Sequence, residues 1–361
     1  MAELLIKTDK LIGNICKINN FLEKHNIHWS LIVKVLSGNK DLLRKILTNS
    51  EIKRIHSIGD SRISGLKTIK SINPDISTIY IKPPPIDTIK SVVKYADISL
   101  NSSLTTIRAL NEEAKKQGKK HRVIVMIELG ELREGVVREN IINFYQKVLN
   151  LENIEIEGIG TNLGCMYGIQ PTYDKLLQLS IFKHVIDAKF NINLALISGG
   201  SSITLPLVSK REMPKNINHL RIGESAFFGT SPLNGKKFRD LSTDIFEFRS
   251  NIIELQMKPT SPDGILTDGN VGHTVDDWEY DKSNRAILDF GMLDVDANEL
   301  KPKDKNVRFA GTTSDMTVYD LGPNPITGKI KYKVGSKICF TPSYMAIARL
   351  MSSKFINKKI V

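Results

Sequence analysis

The chain has 361 residues, more than one hydrophobic core ordinarily supports, so a large domain and a smaller one are expected. Hydrophobic residues make up 41% and charged residues 25%, and no apolar run approaches the roughly 20 residues that span a bilayer, so a membrane protein is not expected. The net charge is +12, yet the 51 Lys and Arg are scattered rather than gathered in a block, which argues against nucleic acid as the partner.

The segment Met1–Lys10 carries charge early and lacks a signal-peptide core, so a cytoplasmic protein is expected. Cys16, Cys165 and Cys339 are widely spaced and form no C-x-x-C pair, so neither a disulfide framework nor a metal site is expected.

Eight short β-rich runs follow in chain order: Trp29–Leu36, Arg54–Ile58, Thr78–Lys82, Ala96–Leu100, Arg122–Leu129, Ile154–Thr161, Leu194–Ser198 and His219–Ile222. Between them Ser61–Ser71, Ile86–Tyr95, Ser102–Gln117, Arg138–Leu151 and Thr172–Phe190 carry apolar residues at helical spacing. Asn101-Ser102-Ser103 reads as a cap before its helix. Repeated strand–helix alternation predicts an α/β fold, a (β/α)8 TIM-like barrel over residues 1–235. No G-x-G-x-x-G follows an early strand, which weighs against an open doubly wound sheet. After about Asp240 the pattern turns strand-like: Ile245–Gln256, Arg285–Phe290, Asn306–Tyr319 and Lys329–Phe340, with turn clusters at 259–264 and 322–325. Residues 236–361 are therefore expected to form an all-β domain with one last helix, Ser343–Met351.

Three places carry candidate chemistry. Lys34 interrupts an otherwise apolar strand, Ser30-Leu31-Ile32-Val33-Lys34-Val35-Leu36. A lysine there is either desolvated, which makes its amine a nucleophile fit for a Schiff base, or carried on its stem to solvent. Ser198-Gly199-Gly200-Ser201-Ser202 follows the seventh strand, and Arg221-Ile222-Gly223-Glu224 closes the eighth. Loops there often hold phosphate in barrels, because small residues admit an anion to backbone N–H groups; ordinary turns have the same composition. Arg221, inside its strand, needs a buried acceptor, which a neighbouring carboxylate would also supply. Glu128–Gly135 and Thr161–Cys165 are polar or glycine-rich strand exits on the same expected face, and Asp60 reads as either a site residue or a helix cap.

Taken together, Gly160–Cys165, Ser198–Pro206, Asn218–Glu224, Asp294–Asp296, Gly311–Asp315 and Tyr344–Ser353 resemble the alanine racemase superfamily of fold-type III pyridoxal-phosphate enzymes, most of all its ornithine racemase-like branch. The resemblance spans nearly the whole chain. It implies pyridoxal 5′-phosphate as cofactor, with Lys34 as the Schiff-base lysine. It implies Arg221 against the pyridine nitrogen, Arg133 near the phenolic oxygen, and Ser201, Ser202, Gly223 and Glu224 around the phosphate. Asn162 stands where alanine racemases proper place a histidine. Ser314 and Asp315 match the loop that one subunit of a homodimer inserts into its partner's site, so the β domain is expected to complete that site, and Tyr344 is taken with them as a substrate residue.

The implied reaction interconverts L and D forms of a small-molecule amino acid by Cα proton transfer. One departure stands out: the segment 264–270 lacks the tyrosine that serves alanine racemases as second acid/base. Asp268 and Asp315 are then the catalytic candidates for the face opposite Lys34, with His273 and Tyr344 as further ones. Asp268, Asp276, Asp277 and Glu279 form an acidic stretch suited to a basic substrate such as ornithine, or simply a solvated loop. A lyase or decarboxylase on the same fold, or a non-catalytic pyridoxal-phosphate-binding protein, are the alternative readings.

Overall fold

The computed structural model describes residues 1–265, 279–327 and 330–361. The chain divides into two units, Lys10–Thr243 and Met1–Asp9 with Asp244–Val361. The division departs from the one expected at 235/236 in two ways. The opening strand β1 (Glu3–Ile6) is buried along its length and belongs with the C-terminal unit. And residues 236–243 stay with the barrel, because helix α1 (Thr8–Glu23) holds them: Asn14 Nδ2 donates to Ser242 O at 2.9 Å, its Oδ1 accepts from Ser242 N at 2.7 Å, and Lys17 Nζ donates to Asp240 O at 2.7 Å.

Eight parallel strands close the barrel: β2 (His28–Ile32), β3 (Ser57–Asp60), β4 (Thr78–Tyr80), β5 (Ile98–Asn101), β6 (His121–Met126), β7 (Ile154–Gly160), β8 (Leu196–Ser201) and β9 (His219–Ile222), with β9 pairing back onto β2. All eight expected runs supply a strand. Their bounds differ most at the first, second and seventh, the last of which is shifted to Leu196–Ser201. Val33 leaves the extended region at φ −98°, ψ 11°, so Lys34–Leu36 is a 3-10 turn rather than strand. Ser50–Arg54 is likewise a 3-10 turn, which moves β3 to Ser57–Asp60.

Helices α2 (Lys40–Leu47), α3 (Ile63–Ile72), α4 (Ile89–Tyr95), α5 (Leu104–Lys116), α6 (Ile141–Leu149), α7 (Tyr173–Phe190), α8 (Leu205–Lys210) and α9 (Glu224–Phe228) follow successive strands. Asn39 caps α2, accepting from Leu42 N at 3.0 Å, and Ser103 caps α5, accepting from Thr106 N at 3.4 Å, so each frees the strand end before it from helical geometry.

Ile32, Ile79, Ile98, Leu100, Ile124, Met126 and Leu196 fill the barrel at one level. Elsewhere inside it, Ser30, Ser57, Ser99, Ser198, His121 and His219 are buried, so their polar atoms need partners within the protein. Among the described residues no helix is long and apolar enough to cross a membrane.

The second unit is an antiparallel sheet. Strands β10 (Phe246–Pro259), β11 (Lys282–Leu288), β12 (Leu300–Pro302), β13 (Arg308–Thr312) and β14 (Thr317–Asp320) come first. After the short pair β15 (Ile326–Thr327) and β16 (330–331) follow β17 (Lys337–Pro342) and β18 (Asn357–Ile360), with helix α10 (Tyr344–Ser352) between the last two. The order is β12-β17-β10-β11-β14-β13, and β1 joins it antiparallel to β10 and parallel to β18. Phe248, Phe290, Phe340 and Tyr319 form its aromatic core, with Phe248 edge-on to Phe290 at 5.1 Å between centroids. The single expected run Asn306–Tyr319 is a hairpin, β13 and β14, whose turn is 313–316.

Candidate active site

Lys34 opens the 3-10 turn that follows β2, and its side chain is exposed. The turn takes it out of the apolar strand and sets it at the barrel's C-terminal rim. Two carboxyl groups feel its charge. Burial pushes the Asp60 carboxyl, at the end of β3, up to about 6, against hydrogen bonds from the N–H groups of Arg62 and Ser61 and the charges of Arg62 and Lys34. Burial likewise raises Glu224, at the start of α9, against the Lys34 charge. Asp60 does cap the following segment, accepting from Arg62 N at 2.9 Å, but it is also a buried acid within reach of the lysine's field. A Cβ on Gly65 would run into the Asp60 carboxylate, so glycine there lets α3 cover this group.

The exits of β8 and β9 meet at Ser202. Its Oγ accepts from Ser225 N at 3.1 Å and from Gly223 N at 3.3 Å. Small residues are required around it. Gly200 sits at φ +119°, where an added Cβ would lie 2.5 Å from Thr204 Oγ1. A Cβ on Gly223 would lie 2.9 Å from Ile32 O. Ser201 and Ser202 add hydroxyls to these N–H groups. The donor set fits a phosphate: the Ser202 oxygen occupies the acceptor role that a phosphate oxygen can take, while its O–H can turn to donate.

Arg221 is buried on β9. Its Nη2 donates to Thr161 O at 2.7 Å, and its Nη1 donates to Ser198 Oγ. No carboxylate salt bridge is needed: a carbonyl and a hydroxyl at the ends of β7 and β8 satisfy it. Burial lowers its pKa to about 10, opposed by the Glu134 charge, so the guanidinium remains protonated at neutral pH.

The exits of β6 and β7 form a third cluster. Arg133 is exposed, and its guanidinium donates to the Glu134 carboxylate through Nε and, at 2.6 Å, through Nη2. That pairing, opposed by partial burial, raises its pKa further. Arg133 Nη1 also reaches Cys165 Sγ, and the Asn162 amide oxygen accepts from the same Nη1 at 3.2 Å once its amide is oriented to satisfy both groups. Glu131, in the sequence only one member of the polar exit Glu128–Gly135, is the cluster's anchor. Its buried carboxylate accepts from five backbone N–H groups: Gly164 at 3.0 Å, Cys165 and Tyr167 at 2.8 Å, Ile169 at 3.2 Å and Gly168 at 3.3 Å. Leu132 turns the chain between Glu131 and Arg133 at φ +51°.

The remaining expected site residues lie in the other unit. Ser314 and Asp315 occupy the exposed β13–β14 turn, where Asp315 Oδ1 accepts from both Thr313 Oγ1 and Ser314 Oγ at 3.3 Å. That turn is bonded to the next one, with Leu293 N donating to Ser314 O at 2.9 Å. A Cβ on Gly291 would lie 2.4 Å from Asp315 N, so glycine is needed where the turns touch. Tyr344 begins α10, behind the cap in which Ser343 accepts from Ala346 N at 3.1 Å. Asp268, His273, Asp276 and Asp277 lie outside the described residues. Glu279 pairs at 3.7 Å with Arg308, both exposed.

A parallel eight-stranded barrel with a lysine and an anion cradle at its C-terminal rim, joined to an antiparallel β unit, is the architecture of the alanine racemase fold. The family model "Alanine racemase, N-terminal domain" matches residues 6–232. The chain is 34% identical to the ornithine racemase of Acetoanaerobium sticklandii over 99% of both chains. It is 28% identical to the lysine racemase of Thermotoga maritima, over 98% of this chain and 97% of that one. Among solved structures, the alanine racemase from Bartonella henselae with covalently bound pyridoxal phosphate superposes with a TM-score of 0.73 at 14% identity, covering 100% of this chain and 99% of that one. The chain belongs to the alanine racemase family.

Proposed function

We propose that the chain is a pyridoxal-phosphate-dependent racemase of a basic amino acid, ornithine or lysine. The observation that carries the reading is the near-complete, 34% identical likeness to an ornithine racemase, in a chain whose rim brings together Lys34, Arg221 and the Ser202–Gly223–Ser225 cradle. The second relative, a lysine racemase, keeps the substrate in the basic class.

When bound, the cofactor acidifies the Cα–H of an amino acid and spreads the charge left behind. The protein's residues supply the rest. Lys34 would link to the cofactor and move the Cα proton on one face at Nζ. Ser201, Ser202 and the N–H groups of Gly223, Glu224 and Ser225 would hold the phosphate, in a cradle where Gly223 N and Ser225 N donate to Ser202 Oγ. Arg221 would donate to the pyridine nitrogen and, protonated at neutral pH, keep its own proton. Arg133 and Asn162 would be the groups for the phenolic oxygen. The opposite face needs a second group, and Asp268 and Asp315 fill that role in this reading, from the β unit of a second copy in a homodimer.

The test is direct. The purified chain is expected to show a visible absorbance band, fixed by borohydride and absent in Lys34→Ala. It is expected to remove the optical rotation of L-ornithine or L-lysine without a change in mass. A loss of mass identifies a lyase instead, and full activity in Lys34→Ala overturns the reading.

A further inference from the structure

The barrel's interior holds a row of polar side chains beyond Arg221. Ser198 Oγ lies 2.8 Å from His219 Nδ1, and His219 Nε2 lies 2.9 Å from Ser30 Oγ. Ser30 Oγ lies 2.7 Å from Ser57 Oγ, and Ser57 Oγ lies 3.3 Å from His56 Nδ1. His56 Nε2 ends on Glu157 Oε1 at 3.3 Å, and Arg122 Nη1 donates to Glu157 Oε2 at 2.9 Å. Ser30, Ser57, Ser198 and His219 are at most 2% exposed. Burying four polar side chains is costly unless each is bonded, and here each one is.

The bonding rules fix the direction of the row. A carboxylate only accepts, so His56 donates to Glu157 from Nε2, and in its neutral form the ring accepts at Nδ1. Ser57 then spends its one proton on His56 and accepts from Ser30. Ser30 in turn accepts from His219 Nε2–H. His219 is held neutral: burial, above all, keeps its pKa well below the ordinary range, and the Arg221 charge acts in the same sense. Its Nδ1 therefore carries a lone pair and accepts from Ser198 O–H. That leaves the Ser198 oxygen as acceptor for Arg221, whose guanidinium can only donate. With His56 neutral, the Glu157 end sets this sense, and the Arg221 end accords with it, since the Ser198 oxygen accepts from Arg221 while its O–H donates onward.

We propose that Ser198 and His219 are positioning residues for Arg221, the near end of a one-way hydrogen-bond chain that runs Arg221, Ser198, His219, Ser30, Ser57, His56, Glu157. Each hydroxyl gives its proton onward, so the Ser198 oxygen presented to Arg221 is more negative than an isolated hydroxyl. The guanidinium is held in one orientation by Ser198 on one side and Thr161 O on the other. The far end opens to a cavity of about 750 Å³ that His56 and Ser57 line. The claim about catalysis rests on the functional reading above; the claim about the chain does not.

Two measurements on the full-length protein decide it. Nitrogen-15 NMR of histidine-labelled protein at about pH 7.5 is expected to show His219 protonated at Nε2 and unprotonated at Nδ1, its signal assigned by loss in His219→Gln. The opposite tautomer, or a doubly protonated ring, overturns the chain whether or not any cofactor binds. In the cofactor-loaded enzyme, Ser198→Ala is expected to shift the visible absorbance maximum and the pH profile. It should lower kcat about tenfold or more with KM nearly unchanged, the scale of one hydrogen bond to a charged group. A Ser198→Ala enzyme with wild-type band, pH profile and kcat overturns the positioning role. If the wild-type protein shows no visible band sensitive to Lys34→Ala, it is the functional reading that fails, and the tautomer measurement still decides the chain.

Discussion

The carboxylate of Glu131 accepts the backbone N–H of Cys165 at 2.8 Å, and with it ties the exit of β6 to the exit of β7. Four further N–H groups of the 164–169 loop fall on the same carboxylate. Burial works to raise its pKa, but these donors outweigh burial and leave it below the ordinary glutamate value. Glu131→Gln keeps the size and turns one acceptor oxygen into a donor that faces N–H groups. The expected cost is about 1–3 kcal/mol in stability, because buried donors lose their acceptor. Since Arg133 and Asn162 rest on the loop so held, kcat/KM should fall as well, and chemical denaturation beside steady-state kinetics checks both. Wild-type kinetics in Glu131→Gln would show that the loop does not set the site.

Glycine substitutions test how closely the cradle is packed. At Gly200 the positive φ and the contact with Thr204 both oppose a side chain, so Gly200→Ala is expected to cost roughly 1–3 kcal/mol of stability. At Gly223 the backbone is negative in φ, but an added Cβ would lie 2.9 Å from the Ile32 carbonyl oxygen and 3.3 Å from Ile32 Cβ, so the end of β2 would have to shift. Gly223→Ala is therefore expected to lower the melting temperature and also to weaken pyridoxal-phosphate binding about tenfold, roughly 1.4 kcal/mol. Cofactor titration followed by absorbance measures it.

What the sequence made legible follows from how local each signal is. The eight barrel strands are short, and their regular alternation with helical stretches is what makes them legible. Strand β1 is as apolar, but its partners, Phe246–Arg249 and Asn357–Ile360, lie at the other end of the chain, and four residues carry no period to read. Lys34 was legible as a charge among apolar neighbours, though its escape from the strand depends on one backbone turn at Val33. Glu131 was not legible, because its role exists only once a loop 33 to 38 residues downstream folds over it. His219 and Ser30 read as ordinary polar strand residues; only barrel closure, which pairs β9 with β2, brings them together.

The opposite-face group is open to an isotope experiment. In the proposed reading Lys34 exchanges the Cα proton of one enantiomer unaided. Removing the second group should therefore slow racemisation about 100-fold or more, while solvent deuterium still enters that enantiomer without inversion. Asp315→Asn and Asp268→Asn are the variants to compare, with product chirality and mass read together. The variant that shows exchange without inversion identifies the group. If both racemise at the wild-type rate, neither aspartate serves.

Acid stability is governed by groups of opposite sign. His121, bonded to Ser99 at 2.8 Å, is brought down to about 3 by burial first and by Lys119 and Arg122, with Asp97 opposing; His219 is lowered likewise by burial. A depressed folded-state pKa gives stability that is full above the unfolded value, about 6.5, and is lost as pH falls below it. Each such ring removes about 1.4 kcal/mol per pH unit, so the two together remove about 2.7. Asp60 runs the other way. Its pKa, raised to about 6, means its contribution is full below the unfolded value and is lost as pH rises through about 6. Between about pH 4 and 6 it therefore offsets one of the two histidines. Asp60→Asn keeps the acceptor for Arg62 N–H and removes a buried charge. It is expected to raise stability at pH 7 by up to about 3 kcal/mol, and to make the acid loss between about pH 6 and 4 steeper. Urea denaturation at pH 7, 6, 5 and about 4.5 distinguishes this from the reverse, in which Asp60→Asn is less stable at neutral pH because the charge is needed by Lys34.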